Sequence, residues 1–247
     1  MQRNLPTGGV ELQCPIGAVP RLVGPLTAAS VQVLPAHTAV LGVRFWPSAA
    51  SPLLGVSADE LVDLTVRLDE VWGGAGVRLG ELLAGAAGPD AALGLLQRYL
   101  VCRQARADHP DPLVAEAVRR LMPWQPIEID ALSGQLAISG SQLRRRFLAT
   151  VGVGPKTLQR TLRFQGYVAL AQAAAAPGGL HGGRLADLAA ELGYADHAHL
   201  SRECLRLTGV TPRELLGGAA DRCGCGHDHV ASYLPFLVGR TGVVRAG

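Results

Sequence analysis

The segment GSQLRRRF, residues 140–147, contains three consecutive arginines: Arg144, Arg145 and Arg146. A guanidinium group can donate two parallel hydrogen bonds to a guanine edge or a phosphate, so the run is suited to nucleic acid. Successive residues of a helix point about 100° apart, and the three side chains therefore cannot all face one partner. The segment by itself leaves two interpretations open: a nucleic-acid-binding surface, and a solvated helix face that keeps the protein soluble.

The surroundings of these arginines are strongly basic. The whole chain has a formal charge of +3, but residues 139–163 contain six basic side chains and no acidic one. The basic residues of this segment that follow the arginine run are Lys156, Arg160 and Arg163. A local excess of positive charge of this kind suits a polyanionic partner.

A second group of potentially reactive side chains lies in CGCGHDH, residues 223–229. Cys223, Cys225, His227 and His229 offer thiolate and imidazole ligands that Zn²⁺ or Cu⁺ accepts, although their spacing is tighter than in usual structural zinc sites. Three interpretations stay open: a metal site that makes the protein metal-responsive, a tail in which these residues have no joint role, and disulfide formation.

Composition and hydropathy indicate a folded chain of two domains without a membrane span. Of the 247 residues, 48% are hydrophobic and 17% are charged. No apolar run approaches the ~18 residues that cross a bilayer, and the opening MQRNLPTGGVELQ lacks the apolar core of a signal peptide. We therefore expect a cytoplasmic protein.

The first hundred residues combine strand-like and helix-like patterns. The runs VELQC, ASVQVL and AVLGVRFW are punctuated by proline and glycine and indicate β-strands. The segments SADELVDLTVRLDEVW, AGVRLGELLAG and DAALGLLQRYLVCRQA have helical spacing, with Ser57 and Asp90 as candidate caps of the first and third. The stretch RADHPDPL then predicts a linker at residues 106–112.

The remaining sequence contains an internal repeat. Leu143, Phe147, Gly152, Pro155 and Leu158 are followed 57 residues later by Leu200, Cys204, Gly209, Pro212 and Leu215. Each copy consists of a short apolar helix, a tight turn (LAISGS or LGYADHA) and a second helix that carries charge, which is the organisation of a helix-turn-helix unit. The helix-prone run LQRTLRFQGYVALAQAAAA separates the copies and can hold them at a fixed distance.

These paired segments, and above all LADLAAELGYADHAHLSRECLRLTGVTPREL, resemble the DNA-binding domain of AraC-family transcriptional regulators over about residues 113–216. The segments LPTGGVELQC, VGPLT, GVRFWPSAA and LDEVWG resemble the sensory domains of one branch of that family. The expected fold class is therefore α+β: a mixed β/α sensory domain at residues 1–105 and the linker precede an all-α domain of two helix-turn-helix units joined by a helix. Residues 217–247 form a tail.

The resemblance implies double-stranded promoter DNA as the partner, with RNA polymerase and a small-molecule effector as further partners of a monomer or homodimer. Some proteins with this DNA-binding domain are also DNA-alkylation repair enzymes that use a cysteine in a Pro-Cys-His-Arg setting. Here Cys14 precedes Pro15 and Cys102 precedes Arg103, with no histidine beside either cysteine. We therefore expect a regulator and no enzymatic activity.

Helix geometry divides the basic segment into different roles. Leu143 and Phe147 share the face that packs on the preceding helix, so other faces of the helix are left for DNA. The residues predicted to project towards the groove in the first unit are Ser141, Gln142, Arg144 and Arg145. Arg145 is assigned to base edges or a flanking phosphate, Arg146 to a phosphate or an intradomain ion pair, and Lys156, Arg160 and Arg163 to phosphates.

In the second unit the corresponding residues are His197, Ala198, His199 and Arg202. The two histidines are separated by two positions and do not share a helical face, which favours recognition or capping over metal binding. Ala198 can contact a thymine methyl group but cannot donate a hydrogen bond, so this unit is expected to discriminate less between bases. Cys204 is expected to fill a core position with a small side chain.

Overall fold

A computed structural model describes residues 2–33, 38–125, 127–175 and 185–217. It confirms the α+β class, with short strands in the N-terminal part followed by helices. The predicted metal ligands Cys223, Cys225, His227 and His229 lie outside the described residues. Within the described part of the chain, no helix is long and apolar enough to cross a membrane.

The strands form a small antiparallel sheet and a separate pair. Their bounds are β1 Gln2–Asn4, β2 Glu11–Pro15, β3 Arg21–Val23, β4 Ser30–Gln32, β5 Val40–Arg44 and β6 Thr65–Arg67. The sheet has the order β5-β2-β3-β6, and β1 pairs with β4. The inward residues of its central strands, Leu12, Cys14 and Leu22, are fully buried against the helices that follow.

Helices of the N-terminal part cover the buried side of this sheet. They are α1 Ala50–Leu54, a 3₁₀ turn at Ala58–Leu61, α2 Leu68–Trp72, α3 Gly74–Ala84 and α4 Pro89–Gln104. Ser57 precedes the 3₁₀ turn without capping it through its side chain, and Asp90 lies in the first turn of α4, after the N-cap residue Gly88.

The continuous helix predicted for SADELVDLTVRLDEVW is wrong. Asp63 has a positive φ of 56°, and its carboxylate accepts a hydrogen bond from the backbone N–H of Thr27 at 2.7 Å. The chain then continues as β6, which pairs with β3. Pairing with the sheet therefore overrides the helical spacing of the apolar residues.

The C-terminal part consists of helices in the predicted order. They are α5 Pro112–Arg120, α6 Ile129–Gln135, α7 Gly140–Val151, α8 Pro155–Ala175, α9 Leu185–Glu191, α10 His197–Thr208 and α11 Pro212–Gly217. Helices α6–α7 and α9–α10 are the two copies of the repeat. The second helix of each copy ends at a glycine, Gly152 or Gly209, in the left-handed backbone conformation. Glycine has no Cβ and adopts this positive φ without strain.

The described residues contain two hydrophobic cores that divide at the predicted linker. One contains buried residues between Val10 and Leu96, and the other contains buried residues between Val114 and Leu207. We therefore retain residues 106–112 as the proposed boundary between domains.

Contacts between the two parts involve the carboxyl ends of the repeat helices. Ser51 Oγ donates to the carbonyl oxygens of Ala149 at 3.1 Å and Thr150 at 3.2 Å, at the end of α7. Arg3 donates to the carbonyl of Thr208 at 2.5 Å, at the end of α10. Carbonyls in the last turn of a helix lack partners within that helix, so these side chains satisfy them.

Candidate nucleic-acid interface

The first helix-turn-helix unit holds α7 through its core and its cap. Leu143 and Phe147 have no exposed surface. Ser139 and Gln142 form a capping box, in which Ser139 Oγ accepts from the Gln142 N–H at 3.2 Å and Gln142 Oε1 accepts from the Ser139 N–H at 3.0 Å. The sequence predicted that Gln142 is exposed. Its capping role was not predicted, because it depends on the helix starting directly after Ser139.

The exposed side of α7 carries the residues that were predicted to face a groove. Ser141, Gln142, Arg144 and Arg145 are all exposed. Among the described residues, no acidic side chain lies within ion-pair distance of Arg144 or Arg145. Both guanidinium groups can therefore take an anionic or base-edge partner.

Arg146 has a different environment from its two neighbours. Its Nη1 lies 2.6 Å from Oδ2 of Asp111. The other carboxylate oxygen of Asp111 accepts from the N–H of Leu113 at 2.9 Å and so caps α5. Of the two roles predicted for Arg146, the structure thus shows an ion pair, which links α7 to the beginning of α5.

The second unit uses an aspartate where the first uses a serine. Asp196 caps α10 by accepting from the N–H of His199 at 2.6 Å. The ring of His199 packs edge-on against Tyr194, with 5.3 Å between centroids, and its Nδ1 accepts from the N–H of Ala195 at 3.4 Å. His199 therefore braces the turn before α10, and the predicted choice between recognition or capping and metal binding stays a prediction.

The remaining residues predicted for this unit lie on its open side. His197, Ala198 and Arg202 are exposed. His197 Nδ1 is 3.3 Å from Oγ of Ser201. Arg202 stands 57 positions after Arg145, so each copy of the repeat presents one exposed arginine at the same position.

A buried acid, Glu203, joins the second unit to the long helix α8. Only 7% of Glu203 is exposed. Its carboxylate accepts hydrogen bonds from Nε and Nη2 of Arg160, and a further one from Nε of Arg206 at 3.3 Å. The Arg160 guanidinium is thus engaged within the protein, and a phosphate contact by this residue stays a prediction.

Sequence reasoning missed Glu203. The sequence does contain a signal for this role: Glu203 stands beside Cys204, on the face of α10 that packs inward. A buried acid at such a position requires a basic partner.

Lys156 and Arg163, which were also predicted to contact phosphates, are both at least partly exposed. Lys156 is exposed, and its Nζ donates to Oε1 of Gln159 at 3.3 Å. Arg163 is half-buried, with its guanidinium carbon 5.8 Å from the centroid of the Tyr194 ring.

Two of the described cysteines, Cys14 and Cys204, are buried. Burial raises the pKa of Cys14 to about 12 and also raises the pKa of Cys204, so neither offers a thiolate at neutral pH. Cys204 is fully buried, as predicted, and its Sγ donates to the carbonyl of Val210 at 3.3 Å. Cys102 is exposed.

The Glu203 cluster leads to a prediction about acid stability. Burial raises the pKa of Glu203, but the hydrogen bonds from Arg160 and Arg206 outweigh it and hold that pKa below the usual range. A lowered pKa in the folded state stabilises the protein above the unfolded-state pKa, and this stabilisation is lost as the pH falls through the folded-state pKa. We expect Glu203→Gln to lower the free energy of unfolding at pH 7 by ~1–3 kcal/mol, with the difference from the unsubstituted chain shrinking in acid.

Urea unfolding at pH 7 and at pH values below 4.5, the ordinary pKa of a glutamate, would test this expectation. Glu116→Gln is a suitable control because Glu116 pairs with Arg120 on an accessible helix surface, where an ion pair contributes little. An effect of Glu203→Gln that is the same at all pH values would contradict the assignment.

Comparisons with known proteins relate both parts of the chain to protein families. Residues 132–217 match a family model described as a helix-turn-helix domain, and residues 1–67 match one described as a domain of unknown function (DUF6597). The chain is 29% identical over 170 residues to the HTH-type transcriptional regulator VirS of Mycobacterium tuberculosis, in strains CDC 1551 / Oshkosh and ATCC 25618 / H37Rv. That alignment covers 66% of this chain and 47% of each relative, so the chain spans about half their length. No solved structure gives a significant match.

Proposed function

We propose that the chain is a transcriptional regulator of the AraC family that binds promoter DNA sequence-specifically through α7 and α10, in line with its matches to a helix-turn-helix domain and to VirS. The observation that carries this proposal is the pair of exposed arginines, Arg145 and Arg202, at equivalent positions of two helix-turn-helix copies. In such units the N-terminal turns of the second helix contact base edges in the major groove. Two copies joined by α8 can read two successive groove segments.

The packing of the N-terminal part is compatible with this binding mode. It contacts the last turn of α7 through Ser51 and the last residue of α10 through Arg3. The first turns of both helices, which carry Ser141 and Ala198, are exposed. DNA can therefore approach the recognition surface while the two parts of the protein remain in contact.

The two units are expected to contribute unequally to recognition. Arg145 can donate two hydrogen bonds to one guanine, with Arg144 and Gln142 on the same surface. Lys156 and Arg163 lie on α8 and are assigned to phosphates, which fix position without reading sequence. In the second unit, Arg202 provides the corresponding donor, whereas Ala198 offers only a methyl contact. Specificity should thus depend more on the first unit.

Regulation is proposed to act through the N-terminal part. An effector must favour one arrangement of that part, or of a homodimer, over another in order to alter DNA occupancy. Side chains that satisfy the terminal carbonyls of α7 and α10 provide a physical link between such a change and the recognition helices. RNA polymerase is a further proposed partner of the DNA-bound regulator.

Selection of bound sequences from a random DNA pool tests the proposed function. We expect the full chain to enrich one motif with two half-elements on one side of the duplex, and to bind it without chemical turnover of the DNA. The salt dependence of binding to the selected and to a scrambled duplex separates specific from electrostatic binding. Enrichment of no motif would overturn the proposal.

Domain independence gives a further prediction. A fragment of residues 108–217 should fold and bind the selected duplex, because the second hydrophobic core lies within it. Its affinity should not respond to compounds that alter binding by the full chain. Circular dichroism and gel-shift titration of both proteins would measure this. A fragment that is unfolded where the full chain is folded would place the domain boundary elsewhere.

The cluster of Cys223, Cys225, His227 and His229 stays a prediction. Zn²⁺ or Cu⁺ binding there would add a metal-dependent signal to the same DNA-binding function.

A further inference from the structure

A cleft of about 360 Å³ lies in the N-terminal part, between α1, the end of α4 and the segment that follows α4. The residues around this opening, called the Arg103 cleft below, include Leu53, Tyr99, Cys102, Arg103 and Arg106. Its volume is at the lower end of the range of small-molecule sites in proteins. It is separate from the exposed surfaces of α7 and α10 that are proposed to bind DNA.

Arg103 is held in this cleft without an acidic partner. Its Nε donates to the carbonyl of Leu53 at 3.1 Å, and its guanidinium carbon lies 3.7 Å from the centroid of the Trp72 ring. Among the described residues, no carboxylate lies within ion-pair distance of Arg103 or Arg106. Burial lowers the pKa of Arg103, as expected for a cation that has lost water without gaining an anion.

The charge balance of the lining indicates the charge of a ligand. Arg103 and Arg106 are opposed by a single acid, Asp108. One positive charge is therefore left over, which a monoanion would neutralise. A carboxylate has the planar pair of oxygens that matches a guanidinium group.

The remaining walls indicate the body of that ligand. Pro52, Leu53 and Ala107 provide apolar surface, and the ring of Tyr99 lines the same cleft. The Tyr99 hydroxyl donates to the carbonyl of Ala75 at 3.4 Å, so it is engaged with α3. An apolar chain or ring attached to the carboxylate would remove these surfaces from water.

The cleft is also connected to the proposed DNA-binding helix. Arg103 is bonded to the carbonyl of Leu53 on α1. Two residues earlier on the same helix, Ser51 donates to the carbonyls of Ala149 and Thr150 at the end of α7. An anion that changes the position of Arg103 acts on α1, and through α1 on α7.

We propose that the Arg103 cleft is the effector site and takes a small organic monocarboxylate with an apolar body, bound by Arg103 and Arg106. The effect of the bound carboxylate on DNA affinity rests on the proposed regulatory function, but binding to the cleft can be measured without DNA. Cys102 provides a reporter for the site because it is exposed and lines the cleft.

The experiment uses the full chain with Cys223→Ser and Cys225→Ser, so that these two cysteines do not react. Of the cysteines that remain, Cys14 and Cys204 are buried and Cys102 is exposed. Hexanoate and 3-phenylpropanoate are the probes, with 1-hexanol and 3-phenylpropanol as neutral counterparts and inorganic phosphate as a non-organic anion. Equilibrium dialysis of labelled hexanoate measures binding, and the rate of Cys102 modification by N-ethylmaleimide, a neutral reagent, locates it. We expect at least a fivefold slowing by a carboxylate and none by the alcohols or phosphate.

Arg106→Gln should abolish both retention and protection, because it removes the surplus positive charge of the cleft. Arg106 is exposed, so the substitution does not disturb the core. Arg98→Gln is the matched control and should retain both, because Arg98 is exposed on α4 and lies outside the cleft lining. No retention of either carboxylate at millimolar concentration, equal protection by the alcohols, or unchanged protection in Arg106→Gln would each overturn the proposal.

A second measurement tests the effector role. The bound carboxylate should change affinity for the selected duplex at least threefold in the full chain, and Ser51→Ala should remove this change while leaving hexanoate binding intact. Carboxylate binding without any effect on DNA affinity would overturn the effector role. Absence of DNA binding in all proteins would instead contradict the proposed function, since the dialysis result does not depend on DNA.

Discussion

Arg145→Ala is expected to weaken binding to the selected duplex by ~1–3 kcal/mol, which is about 5- to 150-fold in affinity. Arg145 is exposed on α7, and among the described residues no acid pairs with it. The substitution therefore costs the protein little stability, and its effect is confined to DNA. Loss of a bidentate contact should also relax the preference at one or two base pairs of the motif.

Two further substitutions make this expectation specific. Lys156→Ala, on α8, should weaken all sequences alike and reduce the salt slope of binding by about one, as expected for a phosphate contact. Arg202→Ala removes the equivalent arginine of the second unit and should relax preference in the other half of the motif. Fluorescence anisotropy with single-base variants of the duplex at several salt concentrations would measure both effects. Equal profiles for Arg145→Ala and Lys156→Ala would refute the division between base and phosphate contacts.

The repeat could be predicted from the sequence because its signals are local. The buried spacing of Leu143 and Phe147, the helix-ending Gly152 and the helix-starting Pro155 are all determined by residues within a few turns of one another. The same positions recur in the second copy, so an accidental pattern was excluded. The role of Arg146 remained open in the sequence because its partner, Asp111, is 35 positions away.

The features that sequence reasoning missed depend on distant contacts. The segment 57–72 has helical spacing, but β6 forms there because β3 offers a strand partner. Glu203 is stabilised by Arg160, 43 positions earlier on another helix. The contacts of Ser51 and Arg3 with the ends of α7 and α10 likewise follow from the packing of the two parts, and neither residue belongs to a motif.

The packing of the N-terminal part against α7 leads to the second large expected effect. Gly152 and Gly209 end the second helices of the two copies with similar positive φ angles of 84° and 74°. An alanine in this conformation costs ~1–2 kcal/mol, so both substitutions carry this cost. Their surroundings differ, however. A Cβ on Gly152 would lie 2.7 Å from the carbonyl oxygen of Ala58 and 2.8 Å from Pro25, whereas the nearest atom to a Cβ on Gly209 is Nη1 of Arg3 at 3.8 Å.

Gly152→Ala should therefore lower the free energy of unfolding by a further ~1–3 kcal/mol beyond Gly209→Ala, because backbone of the 3₁₀ turn must move to admit the methyl group. Urea unfolding of the two variants of the full chain would measure this difference. In the fragment of residues 108–217 both Ala58 and Pro25 are absent, so the two substitutions should become nearly equal there. An excess cost of Gly152→Ala that persists in the fragment would assign it to the helix-turn-helix unit itself. An excess confined to the full chain requires that the N-terminal part pack on the end of α7, which is a contact through which the proposed effector would act.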